Sequence, residues 1–197
     1  MNIIRTLAVS ILGLSLVAAP SRAAAGEPTE QLRKTIDEFV HILVNTPVPE
    51  LRSKGLPEKA LALVFGRFDF AEMTKRSLGD HWGPLAPAEQ REFVDAFTQR
   101  LLVAYGRTVR ASGDEKIYYE REALDNGEAT VETKVVSGGS DRVDIDYRMR
   151  AVDGQWKVYD VVIDQVSIVD NYRAQFDRVI GRSSVKELLQ RMKQQSS

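Results

Sequence analysis

The sequence predicts an α+β domain in which a curved antiparallel four-stranded sheet carries amphipathic helices on one face. Three observations support that class. Over residues 142–151 the odd positions (Val143, Ile145, Tyr147, Met149, Ala151) are apolar and the even ones (Arg142, Asp144, Asp146, Arg148, Arg150) charged, a period of two that gives a strand one dry and one wet face. Asp125-Asn126-Gly127, Gly138-Gly139 and Asp153-Gly154 fall where tight turns must join such strands. Phe93, Phe97, Leu101 and Tyr105 recur every four residues, with Val94, Leu102 and Val109 beside them, which is the wide apolar stripe of a helix lying on a core.

Taken in order, residues 1–25 read as a cleavable secretory signal. One positive charge precedes an apolar stretch over 6–19, Pro20 breaks it, and Ser21, Ala23, Ala24 and Ala25 supply small residues for cleavage after Ala23 or Ala25. No Arg-Arg pair precedes the apolar stretch, so the general secretion route is expected. Residues 26–197 are then long enough for one domain with a sizeable core. Leu32, Ile36, Phe39, Val40 and Leu43 space a first helix over 27–45, ended by Pro47 and Pro49. A second helix is expected over 56–65 and a third from Asp69, a suitable N-cap. Gly79, Gly83, Pro84 and Pro87 mark a turn. The stripe helix follows over 87–108, with Pro87 in its first turn and Glu89 near the positive end of its dipole. Strands are expected near 115–122, 128–137, 141–151 and 155–163, the last apolar on both sides and so the deepest. Two helices close the chain, one over 170–180 stopped by Gly181, the other starting from a Ser183/Ser184 cap. A curved sheet covered in this way can enclose a cone-shaped cavity.

Composition removes several functions. The 27 basic and 28 acidic side chains are interleaved, without the basic footprint of a nucleic-acid binder. Cysteine is absent, which excludes disulfides, Cys-ligated metals, a thiol nucleophile and a lipid-modified cysteine anchor. After the signal no apolar run approaches the roughly 20 residues of a membrane helix. An exported, soluble chain that does not span a membrane is expected.

Catalytic signatures are missing from the sequence: there is no G-x-S-x-G elbow, phosphate loop, H-E-x-x-H or dinucleotide fingerprint. His41 and His81, the only histidines, read as surface or packing residues. Asp160 shares its predicted face with Trp156, Val158 and Val162, and a buried carboxylate must be paired or neutralised. It could form an ion pair with Arg173 or another arginine, or act as a general base in a hydrophobic pocket. The ion pair is preferred, because no second polar group is placed to polarise a substrate. No metal, cofactor or catalytic residue is expected.

Two long, ordered segments resemble a known family. Phe68-Asp69-Phe70-Ala71-Glu72-Met73, Leu78-Gly79-Asp80-His81-Trp82 and the Phe93, Phe97, Leu101-Leu102, Tyr105 stripe form the first. The second runs through Asp146-Tyr147-Arg148, Trp156-Lys157-Val158-Tyr159-Asp160-Val161-Val162-Ile163, Val166-Ser167-Ile168-Val169 and Asn171-Tyr172-Arg173-Ala174-Gln175-Phe176. Together they resemble the MlaC family, also known as the toluene-tolerance auxiliary component of ABC transporters. The resemblance implies a nuclear transport factor 2-like sheet and helices. It also implies a periplasmic phospholipid carrier that exchanges a diacyl lipid, as cargo and not cofactor, between two partners. These are an inner-membrane ABC complex, met through its MCE-domain protein, and an outer-membrane lipoprotein complex. A sister branch handles hopanoid lipids, and a small-ligand isomerase or hydrolase on the same fold, or a non-lipid adaptor for a transporter, is the competing class.

For a lipid carrier the candidate cavity wall is Phe97, Leu101 and Tyr105 from the stripe helix with Val131, Val143, Tyr147 and Met149 from the sheet. Phe70 and Trp82 are placed near its mouth.

Overall fold

The computed structural model describes residues 27–106, 114–137 and 141–195. The expected signal, Val109 and the Gly138-Gly139 turn lie outside the described residues. Helix α1 (Pro28–Val44) buries Leu32 and Leu43, two members of its predicted stripe. Pro47 and Pro49, read as an end, also open a further helix, α2 (Val48–Lys54), which the sequence reading missed. Proline suits a first turn, where its missing N–H has no intrahelical partner to lose. Helix α3 (Glu58–Arg67) is entered from Pro57 in the same way. Asp69 caps α4 (Phe70–Leu78), its carboxylate accepting from the Glu72 N–H at 3.0 Å. A single 3₁₀ turn (Gly79–His81) leads to the stripe helix α5 (Pro87–Gly106), which buries Phe93, Ala96, Phe97, Thr98 and Leu101.

The sheet follows as β1 (Lys116–Asp125), β2 (Glu128–Ser137), β3 (Asp141–Val152), β4 (Gln155–Ile163) and β5 (Val166–Ser167), antiparallel throughout in the order β1-β2-β3-β4-β5. It therefore has five strands, not the expected four; β5 is too short to show a period of two. Asn126-Gly127 and Asp153-Gly154 both have positive φ, as the predicted two-residue hairpins require. Asp164 and Gln165 make the third such turn without glycine, at φ of 46° and 68°. The β3–β4 register shifts between Arg148 and Met149. This bulge puts Tyr159 and Asp160 together on the wet face, so Asp160 does not share a face with Trp156 and Val158 as expected.

Helix α6 (Ile168–Arg182) is capped by Ser167, whose hydroxyl accepts from the Asp170 N–H at 2.9 Å. It runs through Gly181, the expected stop, and ends at Ser183. Helix α7 (Val185–Gln195) starts at Ser184, which accepts from the Glu187 N–H at 3.1 Å.

Helix α1 lies across β1, β2 and β4, with α3 beside it. Phe68 bridges to Val158, and the Asp69 N–H donates to the Val158 carbonyl at 2.8 Å, which fastens the start of α4 to the edge of β4. Helices α4 and α6 pack on each other and on β4, and α5 and α7 pack outside them. Phe97 meets the rings of Tyr172 and Phe176 edge-on, at 4.9 and 5.4 Å, a geometry worth about 0.5–1.5 kcal/mol per pair beyond buried area.

Candidate functional site

Burial along the dry face is graded. At the end nearest the Asn126-Gly127 and Asp153-Gly154 turns, Ala129, Val131, Met149 and Val158 are at most 3% exposed, under α1. Towards the other end Val135, Val143, Ile145 and Ile163 keep accessible surface although their side chains point the same way. Tyr147 stands at the transition. Burial, with Tyr119 nearby, pushes its hydroxyl well above the usual tyrosine range, yet the residue is only half-buried. Tyr105 at the end of α5 is in the same position: half-buried, with burial raising its hydroxyl. The dry face is thus a trough, buried at one end and only partly covered at the other.

The nine candidate residues divide along that gradient. Phe97, Leu101, Val131 and Met149 are buried in the closed core. Tyr105 and Tyr147 pack against that core with surface to spare, and Val143 is half-buried further out. Register places Val131 opposite Tyr147 and Val135 opposite Val143. Phe70 also packs against the core, between Phe65 at 5.5 Å and Phe68 at 5.8 Å, where α3 turns into α4. Trp82 packs on the core from the turn before α5.

The wet face beside β4 is polar and tightly connected. Asp160, 1% exposed, accepts from the Val169 N–H at 3.0 Å, the Ser167 hydroxyl at 2.7 Å and Arg148 at 3.0 Å. Its arginine partner is therefore Arg148 and not Arg173, and its oxygens tie β4 to the start of α6. Arg150 reaches Glu72 at 3.0 Å, and Arg76 bridges Glu72 and Glu128 while lying 3.8 Å over the Tyr159 ring. The Tyr159 hydroxyl donates to Glu128 at 2.7 Å. That bond, with Arg76, holds the Glu128 carboxyl below the usual carboxylate range. Burial, with the Glu128 bond, moves the Tyr159 hydroxyl up to about 12.

Over this network lies a cleft of about 760 Å³, lined by Lys75, Arg76, Gly79, Asp80, Trp82 and Gly83 on one side and Arg148, Tyr159, Asp160, Val169, Asp170 and Arg173 on the other. Trp82 is the one residue it shares with the predicted cavity wall. Sequence reasoning missed the cleft because its residues come from four segments, two of them brought to one face by the β4 bulge. Among the described residues no helix is long and apolar enough to cross a membrane.

The sheet and helices form an α+β domain built around a hydrophobic interior, with part of its apolar face only half-buried. Residues 33–194 match the family model described as MlaC protein, and the chain belongs to the MlaC family. The fold is similar, with a TM-score of 0.76 and 25% identity, to a phospholipid-binding protein from Ralstonia solanacearum solved in complex with a phospholipid; the match covers 87% of this chain and 97% of that one. A toluene tolerance protein, ttg2D, of Pseudomonas putida is 24% identical over 98 residues. That match spans 49% of this chain and 46% of the relative, less than half the length of each.

Proposed function

We propose that this protein is a periplasmic carrier that holds the acyl tails of a phospholipid in the dry-face trough, without covalent chemistry. It would pass the lipid between an inner-membrane ABC complex, through its MCE-domain protein, and an outer-membrane lipoprotein complex. The observation that carries this reading is the graded dry face, on which Val143, Ile145, Tyr147 and Ile163 keep accessible surface beyond the buried end. Carrying two acyl chains of about 15 methylenes each through water, at roughly 0.8 kcal/mol per methylene, exposes apolar surface worth on the order of 20 kcal/mol. An interior trough removes that cost where a surface patch would not. Membership of the MlaC family and the likeness to a phospholipid-bound protein support the same reading. The wall consists of Tyr105, Val143 and Tyr147 at the open end, with Phe97, Leu101, Val131 and Met149 closing its base. Phe70 and Trp82, expected near its mouth, pack against the core from the start of α4 and from the turn before α5.

Native mass spectrometry of protein purified from cells tests this directly. A co-purifying diacyl phospholipid is expected, and a hopanoid would name a different cargo. Val143→Trp, at a half-buried position facing the trough, should abolish most lipid load while the domain keeps its circular dichroism spectrum. Protein that never carries lipid, or a Val143→Trp variant that carries a full load, overturns the reading.

A further inference from the structure

Asp80, Arg148, Tyr159, Asp160 and Arg173, from the segments that resemble the family, meet in the cleft between α4, β4 and α6. Arg173 is its best-built feature. A Cβ on Gly79 would lie 2.9 Å from the Arg173 Nη2 and 3.0 Å from Nε. Gly79, at φ 54°, leaves room for the guanidinium to lie against the C-terminal end of α4, where the helix dipole favours a cation. Asp80 and Asp170 also line the cleft, and the remaining charges are largely compensated. Asp160 is consumed by Arg148, Ser167 and the Val169 N–H. Arg76 is paired with Glu72 and Glu128, and Lys75 lies 3.7 Å from Glu72. Arg173, among the described residues, has no carboxylate or carbonyl partner, so its planar fork of donors is left facing the cleft. Arg148 directs Nη1 to Asp160 at 3.0 Å and to Asp170 at 3.8 Å, and its other nitrogens have no carboxylate partner among the described residues.

Two guanidinium groups and an ammonium around one opening match the oxygens of a phosphate group. The volume, about 760 Å³, is far larger than a bare anion needs and falls in the range of small-molecule pockets. We propose that this cleft binds a phosphate ester, its oxyanion held by Arg173 with Arg148 and Lys75 and its organic part against Trp82. Arg148 alternates along β3 with the trough residues Tyr147 and Met149, so its side chain leaves the sheet on the opposite face. The cleft is a second site, and the proposal does not depend on what fills the trough.

The phosphate could belong to a membrane-lipid headgroup or to a free ester, and two probes separate them. Calorimetry with glycerol 3-phosphate reads the free ester; co-sedimentation with phosphatidylglycerol vesicles, against phosphatidylcholine vesicles, reads the headgroup. Each is run on the full mature protein and on Val143→Trp, whose trough is blocked. At least one probe should bind both proteins, and Arg173→Ala should weaken that binding about tenfold or more, with Lys75→Ala a smaller loss. Arg173 is exposed, so the variant should fold and load the trough as before, which circular dichroism and lipid load confirm. Binding of neither probe, a change under about twofold for Arg173→Ala, or tighter binding of poly-glutamate than of glycerol 3-phosphate would overturn the proposal, the last in favour of an acidic protein segment.

Discussion

On the wet face of β3 and β4, Arg148, Asp160, Ser167 and the Val169 N–H form one connected group. On the dry face of the same strands, Tyr147, Ile145 and Ile163 are only half-buried. The first region is directional and joins β4 to α6; the second is non-directional and only partly covered. A packed protein interior leaves few voids larger than a water molecule, so an apolar face left partly uncovered requires the frame around it to be held by other means. Here the fastening is polar and lies behind the sheet, while the closed end of the core is fastened by aromatic packing of Phe97 on Tyr172 and Phe176. The trough can then stay open without collapse of the helices onto it.

Three substitutions break or sharpen this contrast. Phe97→Ala removes a fully buried ring from the closed end and should cost about 3–5 kcal/mol in urea unfolding. A cost under about 1 kcal/mol would mean that the closed end is as loose as the open one. Asp160→Ala leaves the Ser167 hydroxyl, the Val169 N–H and Arg148 without their acceptor and should cost about 2–4 kcal/mol. The half-exposed position of Arg148 keeps this below the full penalty of a buried ion pair. Equal stability of Asp160→Ala and the parent protein would show that the wet face does not hold the frame.

The smallest effect concerns pH. The Glu128 carboxyl is lower in the folded protein than its ordinary 4.5, so its contribution is present above that value and lost as pH falls through the folded value. Stability should therefore decline below about pH 4.5, and Glu128→Gln should flatten that part of the curve without altering lipid load. An unchanged acid limb in Glu128→Gln would assign the decline to other carboxylates.

Local signals were legible wherever one short segment decides its own structure. The alternation over 142–151, the Asn126-Gly127 and Asp153-Gly154 hairpins, the Asp69 cap and the Ser184 cap all appear as read. The stripe of α5 is buried as its spacing requires, through Phe93, Phe97 and Leu101. Three features escaped. Pro47 and Pro49 end one helix and open another, because proline is compatible with both sides of such a boundary. The two-residue β5 carries no periodic signal. The β4 bulge turned Asp160 to the opposite face and gave it Arg148 in place of Arg173, since one extra residue reverses the side of those that follow.

By itself, then, the sequence determined which segments are helix and strand, which faces are apolar, and to which family the pattern is kin. Those properties depend on residues a few positions apart. Tertiary structure alone decided that the apolar face is buried at one end and only partly covered at the other, and that Gly79, Arg148 and Arg173 share a cleft. Whether apolar side chains meet or leave space between them depends on the distance between elements, and no spacing along the chain records that distance.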